Sequence, residues 1–451
     1  VSGNASRLPD PLEREIEAEL SLGRFVSNRA CLSLVSGLEQ IENRVAGLTG
    51  TAPDRAVALY EAFLAGCFEK ADEVDDSSGS FGTFAASLFC GWATARQAAG
   101  ADPGHTAARL LAWMEDDPYG FCMGLEKDVA GVLDKAGLAA LVRQVRTRFD
   151  AHEPPGEKPS WRGPDYPRRR WGEALRALYA AQKDVGAYVA LAEETGLTAP
   201  DCHAIATILA ARRKPEEALA WAERGIEIDT STALGSMAGH ELADLKRGLL
   251  RKLGREDEAL ESAWTGFCAH PSTYTYRDLL AFVPRHDRTA WHEKAIKAAS
   301  ARAGLSSLID LLAETTETGR FADLVDRNSD GELEQVSHYV LEPAARILEK
   351  GHPGSAARLW RAMSMRILSA GKSRYYQAAL ANFERARRCY AKAGMEADWE
   401  QVVSQVRAEH HRKSGFMPDF NRVVTGSEPA QEPPFLERAK ARWGTLPASQ
   451  A

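Results

Sequence analysis

The residues best suited to chemistry sit in one short acidic segment. Glu69, Asp72, Glu73, Asp75 and Asp76 are followed by Ser77 and Ser78, and the carboxylates at 69, 72, 73 and 76 recur at three- and four-residue steps. If the preceding helix runs through them, one face offers hard oxygen ligands to a divalent cation. The same residue types also suit a helix end and a turn, with Asp76 or Ser77 capping the next helix. The turn is the expected reading and no bound metal is expected; Glu69, Asp72, Glu73, Asp75 and Asp76 are the candidate ligands if one binds.

Other partial motifs each lack a residue that their mechanism needs. Gly371-Lys372-Ser373 resembles the end of a phosphate-binding loop, but position 366, where the first glycine belongs, is Arg366. Ser78-Gly79-Ser80-Phe81-Gly82 approaches a nucleophile elbow with Ser78 in the place of a glycine and no strand before it. His240-Glu241 begins a zinc-protease pattern, yet Asp244 stands where the second imidazole is required. Cys202 and His203 are adjacent and point to different helix faces. No CxxC or CxC occurs. No catalytic residue and no cofactor are therefore expected.

The richest basic stretch comprises Arg385, Arg387, Arg388, Lys392, Arg407, His410, His411, Arg412 and Lys413. Nucleic-acid contact is one use for it. However, Glu384, Glu396, Asp398, Glu400 and Glu409 interleave with these cations, as on a solvated helix face. Candidate partner-binding residues here are Arg388, Arg407, His410, His411 and Arg412. Two more, Phe435 and Trp443, lie on a short terminal helix after the Pro-rich connector 425–434. So short a helix is unstable alone, and docking on its own chain is the expected way to cover its apolar face.

The elements that must position these residues are helices. Asp54 to Lys70 places Val57, Leu59, Tyr60, Phe63, Leu64 and Phe68 on one stripe after a Pro53 start, and Phe81, Phe84, Leu88, Phe89 and Trp92 repeat the pattern. Further helices are predicted at 104–115, 119–135 and 137–150. Period-2 alternation is hard to find, so the chain is predicted to be all-α.

Its 451 residues, 44% hydrophobic and 26% charged, suit a folded chain of two or three domains or a single repeat array. A net charge of -7 argues against coating nucleic acid, and no apolar run reaches the ~20 residues of a membrane helix. Seven scattered cysteines imply no disulfide framework. The N-terminus has no secretory pattern, so a cytoplasmic location is expected, and the leading Val suggests a trimmed start.

Residues 152–170 carry five prolines and almost no aliphatic side chains, which predicts a linker. The expected domains are an acidic helical domain at 1–150, a Pro-rich linker at 151–170, a helical-repeat solenoid at 171–424, and a connector with a short helix at 425–451. The acidity belongs to residues 1–150, with 22 acids against 14 bases. Beyond the linker, Glu217-Ala218-Leu219 recurs as Glu258-Ala259-Leu260, an offset of 41 residues within helical-repeat spacing. Weaker echoes begin at Gly319, Gly351 and Tyr375. Their turns, Ala-Leu starts and aromatic filling predict a degenerate tetratricopeptide-like α-solenoid of helix pairs, with Trp221, Trp264, Trp360 and Trp399 buried between helices.

Arg24-Phe25-Val26, Arg55 to Leu59 with Phe63-Leu64, and Val74 to Gly82 with its Asp-Asp-Ser-Ser-Gly turn resemble a family of uncharacterised bacterial all-helical proteins. Cys389 to Gly394, Trp399 and His410 to Phe420 are similar to the helical C-terminal region of bacterial SWIM zinc-finger proteins. The finger itself, Cys-x-Cys followed by Cys-x-His, is absent, so the zinc and DNA binding that go with that name do not transfer. The resemblance implies no activity. The function expected is a non-catalytic scaffold or adaptor for a protein or peptide partner, with no membrane and no nucleic-acid partner. The alternatives are a divalent-metal-dependent enzyme or regulator using 69–76 and a nucleic-acid-associated protein using 385–413.

Overall fold

The computed structural model describes residues 10–152, 166–231 and 237–426, with positions 436, 437 and 440 beyond them. Among the described residues there are 23 α-helices and no strand; one isolated parallel bridge joins Val26 to Val74. The chain gathers into two compact units, 1–253 and 254–451.

The first unit holds α1 (Pro11–Leu20), α2 (Asn28–Ala46), α3 (Pro53–Lys70), α4 (Ser80–Ala98), α5 (Pro103–Glu115) and α6 (Leu125–Ala130). It continues with α7 (Lys135–Asp150), α8 (Tyr166–Gln182), α9 (Val185–Thr195), α10 (Ala199–Ala211), α11 (Pro215–Ser231) and α12 (Met237–Lys252). The second holds α13 (Glu256–Ala269), α14 (Thr273–Phe282), α15 (Arg288–Arg302), α16 (Leu305–Glu314), α17 (Thr318–Arg327) and α18 (Asp330–Gln335). After these come α19 (His338–Leu348), α20 (Pro353–Ser369), α21 (Tyr376–Ala393), α22 (Glu396–His410) and α23 (Met417–Thr425).

Helix starts follow the local chemistry. Asp10, Asp102, Asp134 and Asp184 each accept a backbone N–H of the helix they precede, while Thr198 with Asp201 and Ser329 with Glu332 form reciprocal capping boxes. The helix predicted at 119–135 shrinks to α6. The Asp117 carboxylate collects the N–H groups of Gly120, Phe121 and Cys122, and Gly120 and Gly124 take left-handed backbone, so residues 117–124 are a loop.

In each unit the packed helices are close neighbours in chain order. The first pairs α3 with α4, α10 with α11 and α11 with α12; the second pairs α19 with α20 and α20 with α21, and among the described residues the principal partners lie within three helices of each other. This nearest-neighbour stacking is that of an α-solenoid. The repeat starts noted in the sequence open α11, α13, α17, α20 and α21. Ala218, Ala222, Ala259 and Ala263 are buried on α11 and α13, where a small side chain lets a neighbouring helix come close. Of the four repeat tryptophans, Trp360 is fully buried, whereas Trp221, Trp264 and Trp399 are half-buried.

Residues 153–165 of the expected linker lie outside the described residues, and 166–170 form the first turn of α8. Arg168 reaches back to donate to the carbonyls of Phe149 and His152 while its guanidinium lies 3.9 Å from the centre of the Phe149 ring. α7 and α8 thus pack together within one compact unit, whose limit falls at Leu253.

Gly91 on α4 lies against Tyr60 of α3. A Cβ there would overlap the ring of Tyr60, which is 1% exposed and whose hydroxyl donates to Glu42 at 2.8 Å, so the ring has no room to yield. Gly91→Ala is expected to cost about 1 to 3 kcal/mol, read as a lower urea midpoint at unchanged m-value.

Candidate functional site

The acidic segment does not continue the helix before it. α3 ends at Lys70, a 3₁₀ turn covers Ala71–Glu73, and Val74 is extended. Val26 holds it there: its N–H donates to Glu73 O at 2.9 Å, and its carbonyl accepts from Asp75 N at 2.8 Å. The three- and four-residue face that would have aligned the carboxylates is therefore broken.

These carboxylates have partners both within the segment and from elsewhere in the first unit, among them the Cys31 thiol, which donates to Asp76 at 3.9 Å. Asp76 accepts from Phe81 N and Gly82 N, both at 2.8 Å, so its two oxygens cap the free amides at the start of α4. Asp75 accepts from the backbone N–H and hydroxyl of Ser77, and these bonds hold its carboxyl below the usual range. Asp72 accepts the Tyr119 hydroxyl at 3.0 Å, which raises that phenol's pKa. Glu73 pairs with Lys70 at 2.7 Å. Gly79 has φ +72°, a left-handed conformation that tolerates a side chain poorly. Among the described residues no group of three or more His, Cys, Asp or Glu is placed to hold a metal ion. Asp75 to Gly79 is a turn that starts α4.

The basic stretch divides. Arg385, Arg388 and Lys392 on α21 open into a cleft of about 440 Å³, which Arg346, Glu349, Lys350 and Cys389 also line. Arg407, His410, His411 and Arg412 are not part of it. Arg407 donates to Asn421 at 3.0 Å, His411 Nδ1 lies 3.1 Å from Ala408 O, and Arg412 is exposed. His410 is 8% exposed, with Nε2 lacking a hydrogen-bond partner among the described residues. Burial, then the charge of Lys413, holds its pKa below 6.5, with Glu409 opposing. Phe435 and Trp443 lie outside the described residues; Leu436 is exposed.

The cleft is built on α20. The buried Trp360 ring forms a base over which the Arg385 guanidinium sits 4.5 Å from the ring centre, and Trp360 Nε1 donates to Glu349 at 2.9 Å. Lys392 Nζ donates to the carbonyls of Glu349 and Lys350 beyond the end of α19, where a helix C-terminus favours a cation. Among the described residues, Arg346 and Arg388 form ion pairs within their own helices, with Glu342 at 2.7 Å and Glu384 at 3.5 Å, and their side chains are 55% and 63% exposed. Burial, then the Glu349 carboxylate, pushes the pKa of the Cys389 thiol up.

The profile of a family described as a family of unknown function (DUF6880) matches residues 23–418. The chain belongs to that family. No curated protein matches it. Among solved structures it is similar to the one titled "Structure of Naa15/Naa10 bound to HypK-THB", at 13% identity and a TM-score of 0.32, over 96% of this chain and 70% of that one. For this family member, sequence reasoning named Arg385, Arg388 and Lys392 but missed Arg346 and Lys350. Their four-residue spacing was a visible signal; that the two helices face one groove was not.

Asp76→Ala is expected to lower stability by about 1 to 2 kcal/mol through loss of the cap on two amides, measured by chemical denaturation. Millimolar calcium or magnesium should leave the melting temperature of both proteins unchanged; a rise in wild type alone would assign a metal to the turn.

His410 makes stability depend on pH. Its folded pKa is depressed, so the unfolded chain takes up the proton first as pH falls below 6.5. The group's contribution is fully present above 6.5 and is lost as pH drops through the folded value. His410→Leu is expected to show a smaller fall in melting temperature between about pH 7 and pH 5 than wild type does.

Proposed function

We propose that this chain is a non-catalytic protein-interaction scaffold that works in the cytoplasm. The observation that carries this reading is the packing order: helices bury their apolar stripes on chain neighbours and leave successive helix faces side by side, the arrangement that repeat proteins use as extended binding surfaces. It is supported by the acidic turn, whose best-placed carboxylate is spent on capping α4, and by the absence of a membrane-spanning helix among the described residues.

A nucleic-acid reading rests on one observation, the basic cleft between α19 and α21. The cleft is short, and the remaining cations of the 385–413 stretch lie outside it. A protein partner fits it better than a strand that needs a long charged track.

Binding to a purified partner tests the scaffold reading. Proteins captured on the full chain would be produced individually and titrated by calorimetry. At least one is expected to form a saturable complex of fixed stoichiometry with a micromolar or tighter Kd. No reconstituted binary complex, or turnover of a substrate by the purified chain, would overturn the reading.

A further inference from the structure

We infer that the basic cleft of the second unit is a docking groove for an acidic helical segment of a protein partner, an inference that deepens the scaffold reading and rests on it. Five cations and one carboxylate line the groove, in a chain whose net charge is -7. Beyond residue 150 the charges nearly balance, so this local excess of cations draws an acidic segment to the groove.

The spacing selects the shape of the ligand. Arg385, Arg388 and Lys392 fall at three- and four-residue steps on α21, a row about 10 Å long at 1.5 Å per residue. Arg346, in the last turn of α19, and Lys350, two residues beyond its end, line the groove opposite them. Carboxylates at three- and four-residue steps along a partner helix repeat at the same interval, so one helix face meets successive cations without distortion.

The cations are also held in advance. The Trp360 ring fixes Arg385 and two carbonyls hold Lys392, while the carboxylates that Arg346 and Arg388 would exchange, among the described residues, are exposed and intrahelical. Less side-chain freedom is then lost on binding. The walls are polar rather than apolar, unlike a pocket for a small molecule. Trp360 is 1% exposed beneath Arg385, so this groove gives nucleic-acid bases no ring to stack on.

The test is fluorescence anisotropy with the full chain and a labelled Glu/Ala helical peptide bearing Glu at alternating three- and four-residue steps. Saturable binding is expected, weakening at least tenfold between about 50 and 300 mM salt. The double variant Arg346→Glu/Arg388→Glu should bind at least tenfold more weakly, Arg346→Gln/Arg388→Gln should fall between it and wild type, and Arg407→Glu should bind as wild type. Melting temperatures confirm that the variants are folded, and the Gln pair serves if the Glu pair is not.

Equal affinity for wild type and both double variants would overturn the assignment. So would absence of peptide binding, whether or not inorganic polyphosphate or a single-stranded oligonucleotide binds through these arginines. If a purified partner binds Arg346→Glu/Arg388→Glu as tightly as wild type, the scaffold reading stands and the groove falls. If the peptide binds as expected but no partner complex can be reconstituted, the groove stands and the scaffold reading falls.

Discussion

An amphipathic helix of ten to twenty residues cannot bury its apolar stripe by itself, and among the described residues the regular elements to bury it against are other helices. The rest of the structure follows from that constraint. α20 shows it most fully: eleven of its positions, from Ser355 to Leu368, are buried, and α17, α18, α19 and α21 pack around it. Such a helix is apolar on most of its circumference because it has neighbours on most sides. α22, by contrast, buries Val402, Val403, Val406 and His410 along one stripe and shows charge elsewhere.

Stacking on chain neighbours brings helix ends together, and the charges near them must be paired where they are covered. Arg361, 4% exposed, reaches Asp330, Glu334 and Gln405 and so ties α18 and α22 to α20. Arg358 adds the carbonyls of Val325 and Asn328 at the end of α17. In the first unit Asp201, 2% exposed, serves the α10 capping box, Arg176 and the Tyr188 hydroxyl at once. Charges in such networks are committed to the fold: removing one partner strands the other, which is why they make poor candidates for recognition.

The two charged regions differ in this respect. In the acidic turn Asp76 is taken up by free amides at the start of α4, Asp72 and Glu73 pair with a tyrosine and a lysine, and the turn is fixed further by the Val26 pairing. On α19 and α21, the carboxylates that pair with Arg346 and Arg388 among the described residues are exposed and one turn away, and pairs of that kind contribute little. Charge that the fold does not consume is charge that a partner can use.

By itself the sequence determined the helical class, the starts of such helices as α3, α4, α5, α11, α13, α20 and α21, and the identity of the Asp75 to Gly79 turn. These depend on short-range chemistry: period 3.6, a capping side chain within a few residues, a glycine where φ is positive. It also determined that Trp360 belongs between helices, since a large ring beside Ala357 and Leu359 has few other places to go. Only the tertiary structure decided that α6 is short, that His410 is buried while Arg407 and His411 are not, and that Arg168 folds back onto α7. Only the tertiary structure joined Arg346 and Lys350 to Arg385, Arg388 and Lys392. Those residues are some forty positions apart, and what sets them on one groove is the way α19 and α21 both pack on α20, a consequence of burial along three helices that no local pattern encodes.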